Sequence, residues 1–477
     1  MSNDPMRIHL SLVSHTNIGK TTLARTLLGR DIGEVADRAH VTETTDDYVL
    51  ARAPEGCELI LWDTPGFGNS VALARRLEGR ANPVGWFLSE VWDRVANKSL
   101  WLNQKALKHV KEISNVVLYL VNATELPDSA PYVSAEMRIL EWIGKPVIVL
   151  LNQMGEPKPP EAEQAEVNRW SHAMVAYPIV SSVLPMDAFA RCWVQEYALF
   201  DAISTALPEE LQATFDALRE AWSRKRQTAY SASIQAMAHY IEKLSNDREI
   251  AESSPVKDQI KFLGKRFGLF KNVTVQDPLG AAQTALASRA ADEFCVLTDK
   301  LIAINSLTGK GVRKEILRRM QNDWKITRTV PLAPAAVAGA VGSGAVSGLA
   351  TDLATGGLSV GLGALVGTVV GALGGAGLAV AYSHKKETKG TVVTWSEEAL
   401  KKFFTDTVSL YLSVSHFGRG RGNWNESEYP KYWDQAINST GINFNTREFN
   451  ACAELDKEIK LILSKYYLQN KSKKNFA

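Results

Sequence analysis

A short segment near the amino terminus has the residue types and spacing of a phosphate-binding loop. The pattern G-x-x-x-x-G-K-[ST] between a strand and a helix is typical of such loops. Residues 14–21 (SHTNIGKT) follow it, except that Ser14 stands where the first glycine is usual. Backbone N–H groups before a helix bind phosphate, while Lys20 neutralises the β- and γ-phosphates and the Thr21 hydroxyl binds Mg²⁺. The residues predicted to contact the nucleotide phosphates are Asn17, Ile18, Gly19, Lys20, Thr21 and Thr22.

A second motif, D-T-P-G at 63–66, ends an apolar run at 58–63. The Asp63 carboxylate can hold Mg²⁺ through a water, because hard divalent cations prefer oxygen ligands. The Gly66 N–H can meet a γ-phosphate. A lone D-x-x-G turn is common, but its spacing from the phosphate-binding loop favours one shared site in which Lys20 and Gly66 act on the transferred phosphate.

Four apolar runs, each long enough for one strand, position these motifs: RIHLSLV at 7–13, ELILWD at 58–63, NVVLYLVNA at 115–123 and PVIVLLN at 146–152. Helix-like stretches separate them, and such alternation predicts an α/β fold with a doubly wound, mostly parallel sheet. We place this domain at 1–205. The chain then has a helical pattern over 206–328, a hydrophobic segment at 329–383 whose one charged residue is Asp352, and a further helical region at 384–477.

These motifs resemble the Era/TrmE branch of the translation-factor-class GTPases. The shared features are Asn17 in N-x-G-K-T, the TTDD run at 44–47 and D-T-P-G. The resemblance covers about residues 7–205 and implies GTP/GDP and Mg²⁺ as cofactors. It also implies that Thr45 closes over Mg²⁺ and the γ-phosphate as a catalytic and metal-binding residue, although Thr42 and Thr44 remain alternatives.

Phe67 stands where Ras-like proteins have a water-orienting glutamine, and a phenyl ring cannot orient water. Relatives with an apolar residue at this position hydrolyse GTP slowly on their own, and some recruit K⁺ through an asparagine at the position of Asn17. The resemblance therefore implies slow intrinsic turnover and a possible role for K⁺. The alternative is that Asn17 only braces the loop.

The base-reading motif departs from the family pattern N-K-x-D. Asn152 matches, Gln153 replaces the lysine, and Gly155 replaces the aspartate that accepts from guanine N1 and N2. We interpret Asn152 and Gln153, together with Ser181 and Ser182 after PIV at 178–180, as the base side of the site. GTP is favoured by resemblance, but the missing aspartate predicts weak discrimination against ATP or XTP.

The segment 329–383 predicts a hydrophobic helical hairpin with a glycine zipper. Residues 329–351 and 353–383 carry no charge, and each arm is long enough as a helix to cross a hydrocarbon core of ~30 Å. Small residues recur every four positions, a spacing that permits close helix packing in membranes. Basic residues flank both ends, which predicts that both face the cytoplasm. A buried hairpin in a soluble protein is the alternative. The small residues at this spacing are Ala336, Ala340, Gly344, Gly348, Gly363, Gly367, Gly371 and Gly375.

Composition adds few constraints. The 477 residues are 45% hydrophobic with a formal net charge of +2, so no basic field predicts nucleic-acid binding. The four cysteines form no C-x-x-C pair, which is typical of a reduced, cytosolic protein, and no signal peptide is evident at the start.

The domain order resembles a bacterial family described only as a GTPase domain joined to a C-terminal domain of unknown function. We expect a membrane-associated GTP-binding switch at the cytoplasmic side of the inner membrane, with a possible soluble pool and a protein partner or self-association. The alternatives are a nucleotide-triggered membrane-inserting or pore-forming protein, and a soluble Era-like ribosome-assembly GTPase.

Overall fold

In the computed structural model, the chain forms two compact units. The first comprises Met1–Ala229, Ser415–Tyr432 and Ile462–Ala477, and the second comprises Tyr230–Val414 and Trp433–Leu461. Within them the structure describes residues 6–29, 32, 46–89, 98–154, 160–188, 193–251, 278–307, 378–383, 390–416, 436–437, 442, 444 and 449–466.

The first unit contains a six-stranded sheet in the order β2-β3-β1-β4-β5-β6. All neighbouring strands are parallel except β2 and β3, which are antiparallel. The predicted doubly wound, mostly parallel sheet is thereby confirmed. Its strands are β1 (Arg7–Ser14), β2 (Asp46–Arg52), β3 (Glu58–Asp63), β4 (Val116–Asn122), β5 (Val147–Asn152) and β6 (Val180–Pro185).

Helices cover this sheet because its central strands are apolar on both faces, as strands of parallel sheets are. Every residue of β5 is buried, and so is every residue of β4 except Asn122. The helices of this unit are α1 (Lys20–Leu28), α2 (Ser70–Leu77), α3 (Pro83–Ser89), α4 (Lys98–Glu112), α5 (Pro131–Ile143), α6 (Pro160–Met174) and α7 (Glu196–Ala206), followed by the start of α8 (Glu209–Asn246).

The second unit is mainly helical, with the rest of α8, then α9 (Pro278–Ile304), α10 (Glu397–Ser415) and α11 (Ala451–Tyr466), of which α10 and α11 end in residues assigned to the first unit. Aromatic side chains pack in its core. The ring of Phe403 lies 4.9 Å from that of Trp395 and 6.5 Å from that of Tyr240, between ring centroids. The regions before and after residues 329–383, predicted to be helical, are thus largely helical where the structure describes them.

A three-stranded antiparallel sheet corrects this prediction in part. Its order is β7-β9-β8, with β7 at Arg248–Ala251, β8 at Leu378–Ser383 and β9 at Gly390–Trp395. The strand β9 has four consecutive β-branched residues, which favour extended backbone. The last six residues of the predicted helical hairpin are therefore a strand, since β8 pairs with β9 along its length.

Residues 329–377, which make up the rest of the predicted hairpin, lie outside the described residues. In the part of the chain that the structure describes, none of the helices is both long and apolar enough to span a membrane. The predicted end of the first domain, at 205, lies one residue before the end of α7 at Ala206, whereas the first compact unit continues to Ala229 within α8.

Candidate nucleotide-binding site

The phosphate-binding loop joins the end of β1 to the start of α1, as its motif predicts. Two of its residues have left-handed backbone, Asn17 with φ 66° and Gly19 with φ 93°. Glycine is required at 19 for a second reason, because a Cβ there would lie 2.8 Å from the Asn152 side-chain nitrogen. The loop therefore turns tightly and leads directly into the N-terminus of α1.

Lys20 is buried directly behind this loop, with 7% of its surface exposed. Its ammonium donates to the Ser14 hydroxyl at 3.2 Å. Burial lowers the pKa of Lys20, and the nearby carboxylates of Asp63 and Glu136 oppose that shift. Ser14, which replaces the usual glycine, thus supplies an acceptor for an ammonium group that would otherwise have fewer partners.

Thr21 and Asp63 form the pair of oxygen ligands expected for Mg²⁺. The Thr21 hydroxyl donates to Asp63 Oδ2 at 2.5 Å, whereas Asp63 Oδ1 is buried without a hydrogen-bond partner in the described residues. Burial raises the pKa of Asp63, and the Lys20 charge and the Thr21 hydrogen bond oppose the rise. A buried carboxylate oxygen without a partner, next to a hydroxyl, fits a hard divalent cation. Thr45, together with Thr42 and Thr44, lies outside the described residues.

The loop after β3 lies against the phosphate-binding loop. A Cβ on Gly66 would be 3.0 Å from the Lys20 ammonium and 3.0 Å from the Thr16 Cα. The next residue is fixed by its backbone, since Phe67 N–H donates to Ser14 O at 2.9 Å and Phe67 O accepts from Thr16 N–H at 3.2 Å. The Gly66 backbone is thereby held beside Lys20, where its motif predicts it.

The Phe67 side chain is fully buried in the hydrophobic core, where Phe87, Leu107 and Tyr119 are also fully buried. Its ring therefore lies inside the domain, in contact with apolar neighbours. This agrees with the expectation that no side chain at this position orients a water molecule.

Asn152 braces the site. Its Nδ2 donates to Ile18 O at 2.7 Å, and its Oδ1 accepts from Ala188 N–H at 2.8 Å. The side chain of Gln153 donates to Asn17 O at 3.4 Å. Both residues contact the phosphate-binding loop at the carboxyl end of β5, the edge at which the sequence places them.

Ser181 and Ser182 do not belong to the base-side loop. They lie inside β6, and the Ser181 hydroxyl donates to Val147 O, at the amino end of β5. The apolar run PIV does not mark the extent of the strand, which starts at Val180 and continues to Pro185. The loop that reaches the site is instead 186–188, which follows this strand.

Three further residues contribute to the site without matching any motif. Asn103 on α4 bonds the backbone of Gly68, and Asp187 bonds the backbone of Met154. Glu136 on α5 is fully buried and pairs with His15 Nδ1 at 2.8 Å. A polar residue among apolar helix positions was the available signal for Asn103 and Glu136. For Asp187 the sequence offers no signal beyond its position after a strand.

Comparison with known proteins decides the nature of this domain. Residues 9–153 match the family model described as 50S ribosome-binding GTPase. This is a GTPase domain. The match spans the phosphate-binding loop, the D-T-P-G motif and Asn152, and it assigns GTP-hydrolysing activity to this domain. Residues 316–462 match a second model, Domain of unknown function (DUF3482). The expected resemblance to a GTPase domain joined to such a domain is confirmed, while the comparisons do not show a membrane segment.

Solved structures similar to this chain include two of Era. An Era variant from Aquifex aeolicus bound to GDP·AlF4⁻ is 16% identical and covers 62% of this chain and 90% of its own, with a TM-score of 0.32. Era with MgGDPNP and a segment of 16S ribosomal RNA is 17% identical at the same coverage, with a TM-score of 0.31. NFeoB from S. thermophilus bound to mGMPPNP is 13% identical and covers 65% of this chain and 88% of its own, with a TM-score of 0.24. The assignment of the GTPase domain rests on the family match and not on these weak likenesses.

Proposed function

We propose that this protein is a GTP-binding switch with slow intrinsic turnover, in which Mg²⁺ accompanies the nucleotide. The observation that supports it is the convergence of Lys20, the Thr21–Asp63 pair and the Gly66 backbone at one edge of the sheet. Because the Phe67 ring is buried, the described residues offer no side chain at that position to activate water.

Each residue has a distinct role in this proposal. Lys20 and the backbone N–H groups at the start of α1 bind and orient the β- and γ-phosphates. Thr21 and Asp63 would hold Mg²⁺, which would neutralise charge developing on the phosphates. The Gly66 N–H would donate to the γ-phosphate, so loss of that phosphate would release the 63–67 loop. Such an ordering change is a common basis for nucleotide switches.

Equilibrium binding of labelled GTP to the full chain tests the site. Lys20→Ala removes a charge-assisted contact to phosphate and should weaken binding about 10- to 100-fold. The matched control is Lys111→Ala, which removes an exposed lysine of α4 and should leave binding unchanged. Unchanged affinity in a folded Lys20→Ala variant would show that this loop is not the nucleotide site.

We also propose that the protein acts at the cytoplasmic side of the inner membrane, through the hydrophobic segment 329–377 that precedes β8. With β8 beginning at Leu378, the second arm shortens to 353–377, and its 25 residues would still span about 37 Å as a helix. The support is that Asp352 is the one charged residue of this segment, together with the basic flanks, such as Lys325 and Arg328 before the segment and Lys385 after it.

Membrane fractionation and vesicle leakage separate this proposal from its alternatives. A switch that uses a membrane hairpin or a membrane-bound protein partner should sediment with membranes, with or without a soluble pool, and should not release vesicle contents. GTP-dependent leakage would favour the pore-forming alternative. A wild-type protein that stays wholly in the soluble fraction and ignores vesicles, with or without GTP, would overturn the membrane proposal and leave the soluble GTPase alternative.

A further inference from the structure

The loop after β6 is fixed at the base side of the site by backbone and side-chain contacts. Met186 N–H donates to Leu151 O at 2.9 Å, which continues the pairing of β6 with β5. Ala188 is held at both ends, since its N–H donates to Asn152 Oδ1 at 2.8 Å and its carbonyl accepts from the Thr26 hydroxyl at 2.7 Å. The residue between them is Asp187.

The Asp187 carboxylate lies at the carboxyl end of β5, next to the first residues of the base-reading motif. Its Oδ2 accepts from Met154 N–H at 2.7 Å, and the residue is 9% exposed. Met154 precedes Gly155, the position at which the sequence lacks the usual aspartate. Among the described residues that follow β5 and β6 at this edge, 153–154 and 186–188, Asp187 is the acidic one.

Guanine is distinguished by neighbouring donors, N1–H and the 2-amino group, on one edge of the ring. An ionised carboxylate is an acceptor only, with about four lone-pair sites on two oxygens, so it can bond a backbone N–H and a base together. Adenine presents a lone pair at N1 instead, which a carboxylate repels. A carboxylate at this side of the site therefore selects guanine.

We propose that Asp187 reads the guanine base in this GTPase domain, in place of the aspartate absent at position 155. The inference rests on the proposed GTP-binding function and assigns a specificity residue to it. The contact comes from the loop after β6, whereas the usual one comes from the loop after β5. Guanine discrimination should then be retained despite the sequence N-Q-M-G at 152–155.

Competition binding with nucleoside diphosphates tests the inference on the wild-type full chain. GDP should bind at least about tenfold more tightly than IDP, because hypoxanthine lacks the 2-amino donor, and ADP should bind more weakly still. Equal affinities of the wild-type protein for GDP and IDP would overturn the inference. Absence of binding by any guanine nucleotide would instead overturn the proposed function itself.

The variant Asp187→Asn gives the second arm of the experiment. Asparagine keeps the shape and still accepts from Met154 N–H, but it presents an amide donor that suits the 2-oxo group of xanthine. GDP affinity should fall about 10- to 100-fold and XDP affinity should rise, while Asp128→Asn, at an exposed site, should change neither. Equal weakening of GDP, XDP and ADP would show that Asp187 only braces the loop and would overturn the inference.

Discussion

The side-chain amide of Asn103 makes two hydrogen bonds to the backbone of Gly68. Its Oδ1 accepts from Gly68 N–H at 3.0 Å, and its Nδ2 donates to Gly68 O at 2.7 Å. Asn103 is fully buried on α4, so this helix fixes the loop that carries Gly66 and Phe67. Because the proposed role of Gly66 depends on the placement of that loop, we expect hydrolysis to be coupled to the packing of α4.

The substitution Asn103→Leu should slow hydrolysis without weakening nucleotide binding. Leucine keeps the branched shape but removes both hydrogen bonds to the buried Gly68 backbone, at a cost of about 1–3 kcal/mol. We expect the single-turnover rate of GTP hydrolysis to fall about tenfold or more, with GDP affinity nearly unchanged. Lys108→Ala, at an exposed position of the same helix, is the control. An unaltered hydrolysis rate in Asn103→Leu would refute a positioning role.

Gly66→Ala tests the close approach of the loop to Lys20. The added Cβ would lie 3.0 Å from both the Lys20 ammonium and the Thr16 Cα, so the loop or the lysine must shift. Binding of a GTP analogue and hydrolysis should both weaken, and GDP binding should change less because we propose that the Gly66 N–H contacts the γ-phosphate.

Gly79→Ala is the matched control for this prediction. Gly79 has φ 76° and nothing within 4 Å of its added Cβ, so alanine there should lower stability by about 1 kcal/mol without affecting nucleotides. If Gly66→Ala and Gly79→Ala behave alike in nucleotide assays, the γ-phosphate role of Gly66 is wrong.

The Thr21–Asp63 pair predicts how the Mg²⁺ requirement will change. Thr21→Ser keeps the hydroxyl and should retain the wild-type Mg²⁺ dependence, whereas Thr21→Val should require about 10- to 100-fold more Mg²⁺ for hydrolysis. Asp63→Asn should act in the same direction because it removes the ionic oxygen at the site. Mg²⁺ titrations of GTP hydrolysis measure all three, and a normal requirement in Thr21→Val would contradict the assignment.

Sequence reasoning located the phosphate side of the site because a strand, a tight loop and a helix N-terminus fix their residues by local spacing. It misplaced Ser181 and Ser182 because the register and length of β6 depend on pairing with β5, which the apolar run PIV does not define. The Asn103 and Glu136 contacts join segments 35 and 121 residues apart, respectively, and no local pattern encodes them. The same limit applies to the strand pairing of β7 with β9.

The predicted role of K⁺ depends on Asn17. Its backbone conformation determines which substitution can test that role. Asn17 is exposed and has φ 66°, so alanine there would add backbone strain, whereas glycine would not. Asn17→Gly therefore removes the amide alone. We expect K⁺ to accelerate wild-type hydrolysis more than Na⁺ does, and Asn17→Gly to lose that difference while binding GDP. Equal wild-type rates in the two salts would end the hypothesis.

A histidine cluster between β1, β3 and α4 predicts a pH dependence of stability. Burial, with a smaller contribution from His9, lowers the pKa of His109 to about 4. Its Nε2 lies 3.0 Å from the Ser11 hydroxyl, and its ring centroid lies 4.4 Å from that of Trp62. His109 is therefore neutral in the folded protein across the physiological range.

Between pH 6.5 and about 4 the unfolded chain binds a proton at His109 that the folded protein does not. Stability contributed by the neutral ring is thus fully present above pH 6.5 and is lost as the pH falls toward 4. Because the ring is partly exposed, solvent screening weakens the effect, and the loss should reach about 1–2 kcal/mol at pH 4.5. His109→Gln keeps a partner for Ser11 but does not titrate, so its denaturant midpoint should fall less than that of the wild type between pH 7 and pH 4.5. Parallel declines in the two proteins would show that His109 titrates normally in the folded state.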